Sequence, residues 1–495
     1  MLVAWHAALS QKCNFPVIGA LQNDHGNITK MKRNLLLTAS AGAMLFAQPA
    51  LAQDNAELAA ELAEMRATMA AMAERINTLE AELAAADAKA DAATAEANAA
   101  AAQATAASET AASAVAAAEK ADSGVKVAFK GAPEIKADGG WSFKPRGRLQ
   151  YDAGFTSAPS STGRSDGFGS EARRARLGVS GDMPGGFGYK FEVDFAGNDV
   201  AVTDALISYE AGSAEVMVGQ MNTFQSLEEL TSSLHTSFIE RAAFTDAFGF
   251  ERRVGVGAVF KGKDILVQTG LFTDNMEDLS NKNWSADGRV VFNPKAGDTQ
   301  LHFGGSVHYS DLESGETVRY RQRPLVHFTS ERFINTGNLG ATSEFGFGLE
   351  GAFIAGPFHG VVEGHWQNVN LPMGAADPTF FGGYAEVGYF LTKGDTRGYK
   401  GGKFDRTKPA NPVGEGGIGS IQLNARYDRL DLSDAGIIGG TQDGYFLSLV
   451  WKPTDYTMLL ANYGKLDYSN AVHPTATGNT DYDVDVFGVR AQIDF

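Results

Sequence analysis

Residues 189–195 read Tyr-Lys-Phe-Glu-Val-Asp-Phe, an unbroken alternation of aromatic or aliphatic side chains with charges. Side chains on a strand point alternately to its two faces, so this stretch presents one wholly apolar row and one wholly charged row. Similar runs recur on either side. Residues 176–182 come before it, 201–210 and 214–221 after it, and the breaks are Gly, Asn and Asp clusters such as Gly185-Gly186 and Gly197-Asn198-Asp199. Such punctuation marks antiparallel strands joined by turns. A soluble sandwich buries its apolar row and wets the other. A membrane barrel turns the apolar row to lipid and the charged row to a watery lumen. The charged second face favours the barrel.

Sixteen strands are expected after residue 140, at 141–153, 171–181, 188–196, 201–210, 214–221, 252–260, 265–273, 285–293, 299–310, 344–355, 358–369, 380–391, 419–430, 442–453, 457–466 and 484–495. An even number puts both ends of a bacterial barrel on the periplasmic side. Short connections at 182–187, 211–213, 261–264, 294–298, 356–357 and 454–456 are expected to be periplasmic turns. Longer ones at 154–170, 222–251, 274–284, 311–343, 431–441 and 467–483 are expected to face outward. Connection 197–200 is short for an outer loop, and 392–418 is long for a turn. The last strand is the clearest. Phe487, Val489, Ala491, Ile493 and Phe495 alternate with Gly488, Arg490, Gln492 and Asp494, and as a soluble edge strand it would be an aggregation hazard.

Composition agrees with this architecture. Gly is abundant at 57 residues and Pro scarce at 15, which suits many turns and few interruptions within strands. A formal net charge of −17 argues against nucleic-acid binding, which leaves a basic footprint. The single cysteine, Cys13, precludes a disulfide framework.

The segment before the barrel divides by composition. Residues 1–30 resemble neither a domain nor an export signal; an over-extended gene start is the simplest reading, and a genuine extra leader is the alternative. Residues 31–52 have the layout of a signal peptide: Lys32-Arg33, an apolar stretch at 35–47, and Ala50-Leu51-Ala52 as a small-x-small cleavage site. From 54 to 120 the chain is rich in Ala and Glu and free of Gly and Pro. Leu58, Leu62, Met65, Met69, Met72, Ile76, Leu79 and Leu83 are spaced alternately four and three apart, the seam of a coiled coil. A helix of this length reaches roughly 90 Å, which suggests a periplasmic coiled coil with envelope contact. A single-helix spacer is the alternative. Residues 121–140 read as a linker. The whole is therefore expected to be all-β, a 16-stranded antiparallel transmembrane β-barrel preceded by a long N-terminal α-helical coiled coil, in the outer membrane of a Gram-negative bacterium.

Several segments taken together make the barrel portion recognisable. They are Arg173-Arg174-Ala175-Arg176-Leu177-Gly178-Val179-Ser180-Gly181, Tyr189-Lys190-Phe191-Glu192, Asp204-Ala205, Val218-Gly219-Gln220, Phe238-Ile239-Glu240-Arg241, Arg253-Val254-Gly255, Asn424-Ala425-Arg426-Tyr427-Asp428 and Ser448-Leu449-Val450-Trp451. In order and spacing they resemble the phosphate-selective porin O and P family, from about residue 141 to 495. The resemblance implies a homotrimer in outer-membrane lipid whose third outer loop folds inward, and an arginine ladder of which Arg173 and Arg174 form one pair. It also implies passive diffusion of small hydrophilic solutes, including anions such as phosphate, with no cofactor.

Strand parity names the lumen residues. With Phe143, Leu149 and Tyr151 toward lipid, Lys144, Arg146 and Arg148 turn inward. Leu177 and Val179 outward leave Arg174 and Arg176 inside. On the sixth strand Arg253 faces in, and on the thirteenth Arg426. Loop 311–343 adds Arg319, Arg321 and Arg323, and loop 222–251 adds Arg241. Guanidinium forks can pass an anion from site to site. Acids oppose them: Glu192, Asp194, Asp204, Asp428 and Asp494 face the same lumen, and the constriction loop 222–251 carries Glu228, Glu229 and Glu240 but no Lys. The family's phosphate preference rests partly on lysine there, so a general or cation-preferring channel stays open, as does an envelope-tethering role for the helix. Scattered histidines lack metal-ligand spacing. Ser306 and His308 share a strand face without a third partner, too little for a hydrolase.

Overall fold

The computed structural model describes residues 55–120, 124–164, 167–197, 199–279, 282–372 and 374–495. The expected signal peptide and the thirty residues before it lie outside these. The chain divides into two units, residues 1–110 and 111–495, which are described separately.

Helix α1 runs Asn55–Lys120. Ala, Glu and Leu are strong helix formers and no Gly or Pro interrupts them. Thr68 and Thr78 tie their hydroxyls back to the carbonyls of Glu64 and Glu74. Among the described residues no helix is long and apolar enough to cross a membrane.

The crossing elements are sixteen antiparallel strands. These are β1 Trp141–Ser157, β2 Gly167–Met183, β3 Phe187–Asp194, β4 Ala201–Ala211, β5 Ala214–Asn222 and β6 Arg252–Lys261. Next come β7 Ile265–Phe272, β8 Trp284–Phe292, β9 Thr299–Asp311, β10 Ser343–Ala355 and β11 Phe358–Asn370. The last are β12 Thr379–Phe390, β13 Ser420–Asp434, β14 Ile437–Thr454, β15 Thr457–Ser469 and β16 Tyr482–Asp494. Each pairs with its sequence neighbours, and β16 closes the barrel on β1 from Asp485↔Ser157 to Asp494↔Arg148. Gly147 exchanges backbone hydrogen bonds with Phe495. A Cβ at position 147 would fall 2.1 Å from the tip of the Phe495 ring, so glycine lets that ring lie over the seam.

The faces are inverted relative to a soluble protein. Phe143, Leu149, Leu177, Ile207, Val218, Leu447 and Phe487 are exposed on the outside, while Gln150, Asp152, Glu192, Arg289, Glu363, Asn462 and Arg490 are buried inside. This is the inside-out partition of a barrel whose outer solvent is lipid.

The lumen is partly filled. Loop residues Leu227, Phe238, Ile239, Phe244 and Phe248 pack with Tyr320, Val326, Phe333 and Ile334 against Leu430, Leu466, Val484 and Val486 of the wall. Thus loop 312–342 folds inward as well as loop 223–251. The segment between β12 and β13 also enters the lumen, carrying a small hairpin of Gly398–Lys400 and Lys403–Asp405. Arg397 donates to Ser237 Oγ and His235 O of the third loop, at 2.6 and 2.7 Å. That explains the anomalous length of the turn.

Two expectations are corrected. Residues 431–441, read as an outer loop, form a tight hairpin: β13 and β14 are joined by Ala435 and Gly436, both at positive φ (51° and 85°). Positive φ at both central residues matches the right-handed strand twist, but Ala at the first position hides the usual Asn-Gly signal. The stretch read as linker contains the hairpin Lys126–Lys130 and Ala132–Ala137, whose second strand pairs with β1 at Ile135↔Phe143. Its strands are too short for alternation to register.

Candidate functional site

The third loop is pinned to the barrel wall by buried polar bonds. The Glu363 carboxylate on β11 accepts from Leu227 N, Glu228 N and Ser226 Oγ at 2.8–2.9 Å. The two N–H groups open the short helix Leu227–Leu230, where they have no partner within the helix, and Ser226 is its N-cap. Asp428 accepts from Ala243 N, and Asn462 from Ile239 N. Arg426 lies sealed between Glu228 and Glu386, at 2.9 Å from each, under the rings of Phe238 and Tyr384. It anchors the loop and meets no open space. Glu228 is buried with it.

So pinned, the loop leaves a cavity of about 450 Å³ against β1–β4. Its lining includes Arg148, Arg173, Arg174, Arg176, Lys190, Arg241, Arg252, Arg323 and Lys403, nine cations, against five carboxylates, Glu229, Glu240, Asp246, Glu251 and Glu277. The wall of this cavity is basic although the chain is acidic.

Most of these cations are paired with acids, one of which, Glu240, lines the cavity with them. Arg173 grips Glu240 in a fork, at 2.7 and 3.1 Å. Arg176 bonds Asp194 at 2.7 Å and Glu192 at 3.2 Å. Lys190 and Arg252 share Asp204. Arg490 forks onto Asp152 and reaches Glu240 at 3.1 Å. Arg174 differs: among the described residues its one side-chain hydrogen-bond partner is Gln150, at 2.9 Å. Burial alone would raise the Glu240 carboxyl, but the guanidiniums of Arg173, Arg174 and Arg490 hold it well below the usual carboxylate range. Glu229 goes the other way, because burial raises it more than Arg241 lowers it.

A β-bulge explains the adjacent arginines. Gln150 pairs with Arg174, but Tyr151 pairs with Ala172, so Arg173 is the extra residue. Alternation would send Arg173 to lipid; the bulge re-aims it inward. Parity beyond it flips, so that Glu171 reaches His327 of loop 312–342 at 2.9 Å.

A second cavity, of about 390 Å³, lies below. Lys144, Arg146, Arg148, Arg406 and Lys408 line it with Glu192, Asp455 and Asp494. Arg148 belongs to both cavities and donates to Ser233 Oγ of the third loop at 3.0 Å and to Glu192 at 3.2 Å. The two basic spaces therefore meet at Arg148.

Of the residues expected from sequence, Lys144, Arg146, Arg148, Arg173, Arg174, Arg176, Arg241 and Arg323 line one of these cavities, as do Glu229 and Glu240. Arg241 also clamps the loop, donating to the carbonyls of Glu228, Glu229 and Thr231. Arg253 is replaced by its neighbour. Arg252 reaches Asp204 and the cavity, while Arg253 pairs with Asp274 at 3.2 Å. Position 252 opens its strand, where alternation does not yet bind the backbone. Arg319 and Arg321 are exposed and line neither cavity. Lys190 was legible, sharing a face with Glu192. Lys403 was not, because nothing local shows that a periplasmic connection turns inward.

The model of the family described as phosphate-selective porin O and P matches residues 143–495. The chain belongs to the phosphate-selective porin O and P family. This porin is 46% identical over 389 residues to an uncharacterized protein of Caulobacter vibrioides, covering 76% of this chain and 78% of that one. Among solved structures it is similar to OmpT of Vibrio cholerae in its trimer form, at 13% identity and TM-score 0.48, covering 72% of this chain and all of that one. It is also similar to an anion-selective porin of Comamonas acidovorans, at 12% identity and TM-score 0.46, with 72% and 100% covered. The outer membrane channel DcaP of Acinetobacter baumannii matches at 14% identity and TM-score 0.45, with 73% and 99% covered. By its family this chain is an outer-membrane porin for passive diffusion. What its lumen favours depends on its own lining.

Proposed function

We propose that this porin favours small anions, phosphate among them, binding them weakly and in succession on its way to the periplasm. The observation that carries this is the nine-to-five excess of cations lining the constriction. A guanidinium has five N–H donors. Arg173 spends two on Glu240 and Arg176 two on Asp194 and Glu192, so each keeps donors for a passing oxyanion. Their carboxylate partners do two things. They fix the forks in place, and they offset enough positive charge that an anion is released as readily as it enters, which conduction requires. Arg174, lacking such an acid, is the strongest single site. An anion handed to Arg148 can pass to Arg146, Lys144 and Arg406 below. Three such channels per assembly are what the family resemblance implies.

One observation favours a second reading. Glu251, Asp274, Asp278, Glu313 and Glu316 line a cavity of about 540 Å³ among the outer loops, with Lys282 as its one base. An acidic antechamber would concentrate cations at the entrance. Phosphate titrated against chloride current in planar bilayers separates the two. Partial block in the millimolar range, an interaction of about −4 kcal/mol, is expected, and Arg174→Gln should weaken it several-fold. Chloride current indifferent to phosphate would sink the phosphate component.

A further inference from the structure

The apolar seam of α1 is uncovered within one chain. Met65, Met69, Met72, Ile76, Leu79 and Leu83 are each 55–64% exposed. A row of six large apolar side chains in water costs free energy that a helix of mixed Ala and Glu does not recover by itself. From the seam and the charges beside it we infer that α1 is one strand of a parallel, in-register coiled coil made with other copies of this same chain.

The charges choose the partner and the direction. In the heptad frame Leu62, Met69, Ile76 and Leu83 take position a, while Met65, Met72 and Leu79 take d. In a parallel in-register pair the g residue of one helix faces the e residue five positions later on its neighbour. Arg75 at g then meets Glu80 at e, and in the sequence Glu61 at g precedes Arg66 at e by the same interval. Both pairs are of opposite sign, and Thr68 with Ala73 between them is neutral. The next pair, Glu82 with Asp87, is repulsive. It falls where Leu83 is the last large residue of the seam and Ala86 begins the alanine run. Charge and core therefore end together, which places the tight coil over residues 58–83 and a looser alanine-lined helix beyond. The inference rests on the trimeric reading for the number of strands, but not for their direction or register.

Disulfide trapping in the full-length porin tests it, in a Cys13→Ser background. Met72→Cys, at d, is expected to cross-link copies of the chain several-fold faster than Ala70→Cys, at b. Adding Arg75→Glu should slow the Met72→Cys reaction, and adding Glu80→Arg to that should restore it. Equal rates at d and b, or no rescue by the paired swap, overturns the inference. So does cross-linking to a different protein, which would make the seam a docking face for that partner. The mass of the detergent-extracted complex keeps the two readings apart. A trimeric mass without cross-linking removes the coiled coil alone, and a monomeric mass removes the trimer as well.

Discussion

At the scale of single residues, the cations divide into those that hold the structure and those that face the solute. Arg426 belongs to the first group. Its guanidinium is the shared partner of Glu228 and Glu386, all of them buried. Removing one member of such a set leaves uncompensated charge and costs about 3–5 kcal/mol. Arg426→Met should therefore loosen the third loop, seen as faster proteolysis within 223–251 and a lower unfolding midpoint, whereas Arg321→Met should do neither. Lys403 belongs to the second group. Confinement inside the barrel, with Lys190 and Arg289 as like charges nearby, lowers its ammonium to about 8. It is charged below that pH and neutral above it. Anion preference should fall as pH rises through about 8, and Lys403→Gln should show a lower preference that stays flat over that window. A wild-type preference unchanged from pH 7 to 9 would contradict this role. Parity made Arg148, Arg174 and Arg176 legible because each lies before the bulge breaks the register, Arg174 and Arg176 in step with Leu177 and Val179. It failed at Arg173, where a bulge breaks the count, and at Arg252, where a strand begins.

At the scale of elements, all sixteen strands were readable because lipid outside and water inside impose a strict period of two. The loops were not. Loop 312–342 and the 391–419 segment fold inward through contacts far away in sequence, such as Arg397 with Ser237 and Arg289 with Gly402 O. Alternation carries no record of such pairings. The inward hairpin should limit the pore together with the third loop. Replacing residues 397–407 by a short turn is expected to raise single-channel conductance several-fold and to weaken anion preference through loss of Lys403. Unchanged conductance would show that the third loop alone sets the narrowest point. Glu240 ties that loop to Arg173 and Arg490. Its carboxyl is held well below the ordinary range, so its contribution to stability is complete above the unfolded value near 4.5 and is lost only as pH falls through the much lower folded value. The loop should keep its place through mildly acid conditions.

At the scale of the whole molecule, net charge and local charge have opposite signs. The chain carries −17 and the cavity beside Asp274 and Glu313 is acidic, while the cavity beside the third loop is basic. Ion preference is set where the path is narrowest and the ion is closest to the wall, since charges beyond about 10 Å are screened at 0.1 M salt. The lining of the narrowest point therefore outweighs the total charge. The zero-current potential across a bilayer holding the porin in a KCl gradient tests this most directly. The expected sign is that for chloride passing more easily than potassium, with the preference reduced in Arg174→Gln. A potential of the opposite sign, unaffected by that substitution, would mean that the acidic antechamber governs entry and that the basic wall does not select.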